Sequence, residues 1–508
     1  MIILLLILCV IAIYFYGTRN HDYWLKRNVA HVPPIPFIGN HFRNQFAFKN
    51  ITAITTELYN KFPKEKVVGY YRWTTPELII RDPEIVRHIM NVDFVYFYPR
   101  GLGRNPSVEP LQANLFHADG DTWKLLRQRM TSAFTTAKLK NMFPLVVKCA
   151  EKLQLVGEDI VSNGGECDVR DLMARFTTEF IGACGFGIEM DTINNENSLF
   201  RDLGKLIFNR TLSDVVKLLI WEGFPITRNY LRVFNSDIDK VIIDIVTKIR
   251  AQRNYKPCGR NDFIDLLLEM ESKGKIKGES IEKRNPDGTP IEVEMEMTLE
   301  CMVAQVFVFF AAGFETSSSA TSSMLHLLAY NPDIQFKIQE EIDQVLQKYD
   351  NKLCYDAITE MSLLDMAFKE SMRLLPTVGN LNRVCAKQYT IPELNITIDP
   401  GVKIIIPIAA IQNDEKYFDN PEEFRPDRFK PEAMKSRHHY TYLPFGEGPR
   451  ACIGARLGYM QSLAGLAAVL HKFDVEPTKN TRRWPIINPR SNLVPAVIGG
   501  LPLKLSLR

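Results

Sequence analysis

The 508-residue sequence has no excess of either charge: 62 Lys and Arg stand against 59 Asp and Glu, a net +3. That balance excludes a nucleic-acid binder driven by bulk charge. Glycine (28) and proline (29) are too sparse for a collagen-like or disordered chain. There is no internal repeat, no low-complexity tract and no glycine fingerprint for a dinucleotide. The nine cysteines are dispersed, odd in number and without the paired spacing of a zinc site, which fits a reducing compartment. His438, His439 and His471 stand in no protease or esterase context.

Long uncharged runs are also scarce, and the one at residues 2–16 is therefore informative. Basic residues follow it (Arg19, Lys26, Arg27) and bulky aromatics end it, the reverse of a cleavable signal. It reads as an anchor over residues 1–19 with the body of the chain on the cytosolic side, and with Tyr14, Tyr16, Tyr23 and Trp24 at the membrane interface. Residues 20–40 form a linker whose prolines (Pro33, Pro34, Pro36) make a stiff, extended hinge. On this topology the sequons at Asn50 and Asn209 stay unmodified.

Residues 41–508 read as one catalytic unit, mainly α with minor β. Lys66–Tyr71 and Glu77–Arg81 form an expected strand pair, and strand signals return at 402–407 and beyond 484. The charged, turn-rich stretch 271–297 reads as an exposed loop. From Thr298 to Tyr330 the pattern predicts one long helix, capped by Thr298 and stopped by Asn331-Pro332. At 1.5 Å per residue it spans ~50 Å and forms the spine of the fold.

The densest chemistry lies in Phe445-Gly446-Glu447-Gly448-Pro449-Arg450-Ala451-Cys452-Ile453-Gly454. A glycine-rich turn delivers Cys452 to a helix start, where free amides, the helix dipole and Arg450 favour thiolate, and where glycines admit a planar ligand. Such a thiolate can attack a substrate or hold a metal. In the long helix, Ala312-Gly313-Phe314-Glu315-Thr316 sets a carboxylate and a hydroxyl beside an apolar wall of Phe307, Phe310, Ala311 and Phe314. Read alone, this is equally a core helix turning polar at its end. Glu370 and Arg373 share a helix face and can pair, and Trp123 and Arg127 lie one turn apart, able to donate to a carboxylate.

Phe445-x-x-Gly448-x-Arg450-x-Cys452-x-Gly454 resembles the haem-binding signature of the cytochrome P450 family. Ala312 to Thr316, Glu370-x-x-Arg373 and Phe424-Arg425-Pro426-Asp427-Arg428-Phe429 follow the family's pattern and order, so the resemblance covers nearly the whole chain. Its texture is similar to insect microsomal members of the detoxifying type. The resemblance implies a cytochrome P450-like fold, with the long helix over a haem b whose iron takes Cys452 as axial ligand. It assigns Trp123, Arg127, Arg383 and Arg450 to the haem propionates, and Phe445, Gly446, Gly448 and Gly454 to the cofactor turn. Thr316 and Glu315 then supply protons for oxygen activation, and Ala312 and Gly313 leave room for dioxygen. Glu370, Arg373 and Arg428 form a structural network. Segments around 100–116, 307–316, 376–381 and 493–497 line the pocket, with Phe116, Phe307, Phe310, Ala311 and Val378 on its wall.

The implied activity is an NADPH-dependent monooxygenase of lipophilic small molecules, xenobiotics such as plant allelochemicals or insecticides. Electrons come from NADPH through a partner, NADPH-cytochrome P450 reductase, with cytochrome b5 as an optional second donor. Lys430, Lys435, Arg437 and Arg456 are candidate contacts for it. The implied location is the endoplasmic reticulum membrane. Three alternatives stay open: a monooxygenase of an endogenous hormone or fatty acid, a reductase-independent isomerase or dehydratase, and a haem-containing ligand-binding membrane scaffold. Retention of Glu315 and Thr316 speaks against the reductase-independent enzyme.

Overall fold

A computed structural model describes residues 2–508 apart from 104, 189, 194–197, 209, 210, 234, 261 and 492. The Asn209 sequon thus lies outside the described residues, while the Asn50 side chain caps the helix Ile51–Lys61 by accepting the Ala53 amide at 2.8 Å. The fold is mainly helical. Its spine is the 31-residue helix Leu299–Ala329, capped by Thr298, whose hydroxyl accepts the Cys301 amide at 3.2 Å. This helix is long and apolar enough to cross a membrane, yet half of its most apolar stretch is buried inside the fold. It packs on the helices Val169–Ile181 and Ala455–Lys472 within the largest apolar core.

A second core lies against a four-stranded sheet in which Val67–Arg72, Thr75–Ile80, Lys403–Ile406 and Leu381–Val384 lie side by side in that order. The first two strands are the expected antiparallel pair, with Val67 opposite Ile80. The proline hinge bridges onto this sheet, with Gly39 paired to Arg72 and His31 to Gly69. Trp24 does not sit at a membrane interface. It is fully buried, its indole donates to the Tyr70 carbonyl at 3.2 Å, and Gly69 makes the slot, since a Cβ there would fall 2.5 Å from the indole ring. Tyr23 is likewise engaged, donating to Asp399 at 3.0 Å.

The expected loop at 271–297 is instead a two-stranded ribbon, Lys275–Arg284 against Pro290–Glu296. The turn residues that suggested a loop are confined to its tip, and Ile276 is buried in the main core. The helix Gly120–Met130, which carries Trp123 and Arg127, lies directly against it.

Glu370 and Arg373 are not a solvated pair. Both side chains are 0% exposed, with Arg373 Nε 2.7 Å and Nη2 2.9 Å from the Glu370 carboxylate. Arg428 Nε lies 3.2 Å from the same carboxylate, and Arg373 also donates to the carbonyls of Gln412 and Pro421 at 2.9 and 2.7 Å. Removing one partner leaves a buried charge uncompensated, which costs roughly 3–5 kcal/mol. The Arg373→Leu protein is therefore expected to lose about that much stability in denaturant melts, against about zero to 1 kcal/mol for the exposed pair variant Lys240→Ala.

Candidate cofactor site

Two positive-φ glycines build the cysteine turn. Gly446 has φ +67°, and Gly448 has φ +72° with its missing Cβ only 2.0 Å from the Met90 carbonyl oxygen, so a side chain there meets both strain and backbone. The turn closes when the Cys452 amide donates to the Phe445 carbonyl at 2.9 Å. Gly454 differs: it has no left-handed φ, and a Cβ on it would meet only the Phe134 ring at 3.8 Å. The helix that follows begins at Ala455 and packs on the long helix where Gly458 faces Ser317, one residue beyond Thr316.

Cys452 is exposed although protein surrounds it, so its thiol looks into an internal space. Burial pushes the thiol up, and the Gly454 amide with the charges of Arg127 and Arg100 offsets this only in part. The expectation that free amides, the helix dipole and Arg450 favour thiolate is corrected for Arg450. Arg450 points elsewhere: its three nitrogens donate to Tyr98 O at 2.9 Å, Ala118 O at 2.8 Å and Asp119 Oδ1 at 2.8 Å, and its guanidinium lies 4.1 Å from the centre of the Trp123 ring.

Around this space the charges do not balance. Arg100 donates to the carbonyls of Phe116 and Arg450, each at 3.0 Å. Arg383 is 2% exposed, donates only to the Asn382 carbonyl at 2.8 Å, and leaves Nε buried without an acceptor. Among the described residues no carboxylate pairs with Arg127, whose one recorded charge partner is Cys452. Asp119 is the carboxylate that the group shares, and it also accepts the Arg100 amide at 2.8 Å. Burial pulls Arg100 down to about 10, and Arg383 and Arg450 down to about 9, with repulsion from Arg100 adding to the last two. Arg100 and Asp119 were not singled out in the sequence, where no motif marks them; the glycines flanking Leu102 are the one local signal.

The long helix is two-faced at its middle. Ala312 is exposed in mid-helix, and Thr316, one turn on, donates its hydroxyl proton to the Ala312 carbonyl at 2.6 Å. Phe307 and Phe310 belong to the opposite, packed side. Phe310 is 0% exposed, stacks on Phe314 at 6.1 Å, and touches Phe186 and Phe200, so it is core and not pocket wall. Gly313 leaves no open room either: Ile181 fills the place of its Cβ, 2.3 Å away, letting the two helices approach. Glu315 turns from Ala312 to an ion pair with Arg170 Nη2 at 2.5 Å, because that guanidinium, itself bonded to the Pro495 carbonyl, is its buried counter-charge. Ala311, Phe116 and Val378 are half-buried, with the Phe116 ring 4.6 Å from Arg100.

The sequence model of the cytochrome P450 family matches residues 30–498. The chain belongs to that family. Cytochrome P450 6B6 of Helicoverpa armigera is 39% identical over 96% of this chain and 94% of its own length. Cytochrome P450 6a2 of Drosophila melanogaster is 36% identical over 99% of each, and Cytochrome P450 6B1 of Papilio polyxenes 36% over 94% of each. This P450 is therefore an oxidoreductase, a monooxygenase whose cofactor is haem b. The donor set fits that group: a thiol open to the interior, and four guanidiniums, Arg383 and Arg450 buried and Arg100 and Arg127 half-buried, with one carboxylate among them, so that two propionates would offset most of the surplus positive charge. Removing the unpaired cation should loosen the cofactor. Arg127→Gln is expected to release haem to apomyoglobin about 10-fold faster than the parent, within the range for lost supporting contacts.

Proposed function

We propose that Cys452 is the axial thiolate of the haem and that this P450 oxidises lipophilic small molecules, xenobiotics of the plant-allelochemical or insecticide type, with electrons from NADPH through a reductase. The observation that carries the reading is the Cys452 thiol opening onto an internal space flanked by Arg100 and Arg127. Arg100, Arg127, Arg383 and Arg450, with Trp123, are the propionate partners, and Phe445, Gly446, Gly448 and Gly454 frame the turn. When bound, haem b with a thiolate ligand supplies the activation of dioxygen. The Thr316 hydroxyl, tethered to the Ala312 carbonyl, holds a proton at the long helix's exposed face. Glu315 serves from behind it, oriented by Arg170. Ala312 and the half-buried Phe116, Ala311 and Val378 give an apolar wall, which suits ligands without charge.

Residues 41–508 form the catalytic domain in this reading, carried by the anchor 1–19 and the hinge 20–40. A location at the endoplasmic reticulum membrane, facing the cytosol, is supported by a second apolar surface. Leu212, Phe224, Ile226 and Tyr230 are 66%, 63%, 74% and 80% exposed. This surface lies beside the anchor's exit, since Asn20 and His21 bond to the carbonyls of Thr74 and Trp73, and Trp73 packs on Gly223. Of the basic residues considered for an acidic donor, Lys430 is paired with Asp427 at 2.9 Å and Arg437 lies over the Phe418 ring.

The test is the carbon monoxide difference spectrum of the reduced protein, followed by turnover of an apolar substrate with reductase and NADPH. A long-wavelength haem band lost in Cys452→Ser, and NADPH-dependent product in the parent, are expected; the same long-wavelength band in both proteins refutes the ligand assignment. A chain lacking residues 2–18 is expected to keep pelleting with microsomes, and to be released when Phe224→Ser and Ile226→Ser are added.

A further inference from the structure

The ribbon Lys275–Arg284/Pro290–Glu296 lies on the face of the helix Gly120–Met130 that is turned away from the arginine cluster. At about 100° per residue, Asp121, Lys124, Leu125 and Gln128 share one side, and Trp123 and Arg127 the other. Gly278 packs on Leu125, where a Cβ would come within 2.7 Å, and Lys124 lies 3.9 Å from Glu279.

The strand register slips between Glu279 and Arg284, and the freed residues reach the helix. Such irregularities re-aim side chains. Ser280, 0% exposed, donates its hydroxyl proton to the Asp121 carboxylate, 2.8 and 2.9 Å from its two oxygens, while the Ile281 amide donates to Oδ1 at 2.7 Å. The same hydroxyl accepts the amides of Glu282 and Lys283 at 3.0 and 2.7 Å, so the irregular stretch is itself locked. Glu282 then accepts the Tyr98 hydroxyl at 2.9 Å and lies against Gly120, where a side chain would collide with its carboxylate. The Tyr98 carbonyl in turn accepts Arg450 Nε at 2.9 Å.

We propose that this ribbon is a clamp for cofactor retention, in which Asp121, Ser280 and Tyr98 are positioning residues that hold Trp123, Arg127 and Arg450 on the haem. One side of the clamp fixes the helix from behind; the other fixes the backbone that orients Arg450. The proposal rests on the assignment of those three side chains to the propionates.

The test uses the full-length holoprotein. Haem transfer to apomyoglobin is timed for Ser280→Ala, Tyr98→Phe and their combination, with Arg127→Gln as the direct-contact reference, and the haem midpoint potential is measured for each. Ser280→Ala and Tyr98→Phe are each expected to release haem about 10-fold faster, the double variant faster still. Their potentials fall, because a cation displaced from the haem no longer favours its reduced form, while the carbon monoxide band keeps its position. Wild-type retention and potential in both variants, with Arg127→Gln still fast, overturn the clamp and leave the propionate reading standing. Wild-type retention in Arg127→Gln overturns that reading and the clamp with it. Tyr98→Phe decides the matter if Ser280→Ala does not fold, since it removes one hydroxyl from a partner that is already exposed.

Discussion

Four guanidinium groups, Arg383 and Arg450 buried and Arg100 and Arg127 half-buried, gather with one paired carboxylate, Asp119, and that surplus of positive charge is the constraint on which the rest of the molecule depends. Burying a charge is tolerable only where a partner and hydrogen bonds replace the lost water. Arg383 has one carbonyl, and Arg127 has no carboxylate. The four arrive from distant parts of the chain: a loop at 100, a helix at 127, a strand at 383 and the cysteine turn at 450. They draw the four-stranded sheet and the helical core toward one locus that is electrostatically incomplete. A dianionic guest would offset most of that surplus, and a ligand bound by the folded state alone stabilises that state by mass action. The haem is on this view the fastener between the two cores as well as the reactive group.

What the sequence made legible were features whose cause is local. The cysteine turn is readable because Gly446 and Gly448 answer to backbone conformation and a close carbonyl, constraints carried by a few consecutive residues. The long helix is readable because its cap, its periodicity and its Asn331-Pro332 stop all lie within it. What stayed hidden depends on a partner far along the chain. Phe310 and Ala312 are two residues apart in one apolar run, and only the rings of Phe186 and Phe200 decide that Phe310 faces core. Glu315 is drawn away by Arg170, 145 residues earlier. Trp24 is buried because Gly69 leaves a slot for it, which an aromatic beside an anchor does not announce. The ribbon reads as a loop in sequence because it is charged, yet its charges pair across strands, as in Lys275 with Glu294, so that a polar stretch satisfies itself in a sheet.

The cysteine shows where local reasoning has the wrong sign. A helix start and a neighbouring arginine lower a thiol's pKa when they face it. Here Arg450 is spent on three acceptors and faces Trp123, and burial outweighs the help from Arg127 and Arg100. Since a metal takes the deprotonated ligand, holding haem iron through Cys452 would require loss of the thiol proton.

These two features would act together on a bound haem. The arginine side carries surplus positive charge, suited to a propionate edge; the other side presents the Cys452 sulfur. A haem with its propionates turned away from the arginines would leave the buried Arg383 guanidinium with a single carbonyl acceptor. Leaving such a group unpaired is a buried-charge penalty of several kcal/mol, ~3–5 at the order-of-magnitude level. Charge placement would therefore favour a haem whose propionate edge meets the arginines, and under the clamp proposal the ribbon behind Trp123 and Arg127 would keep it there.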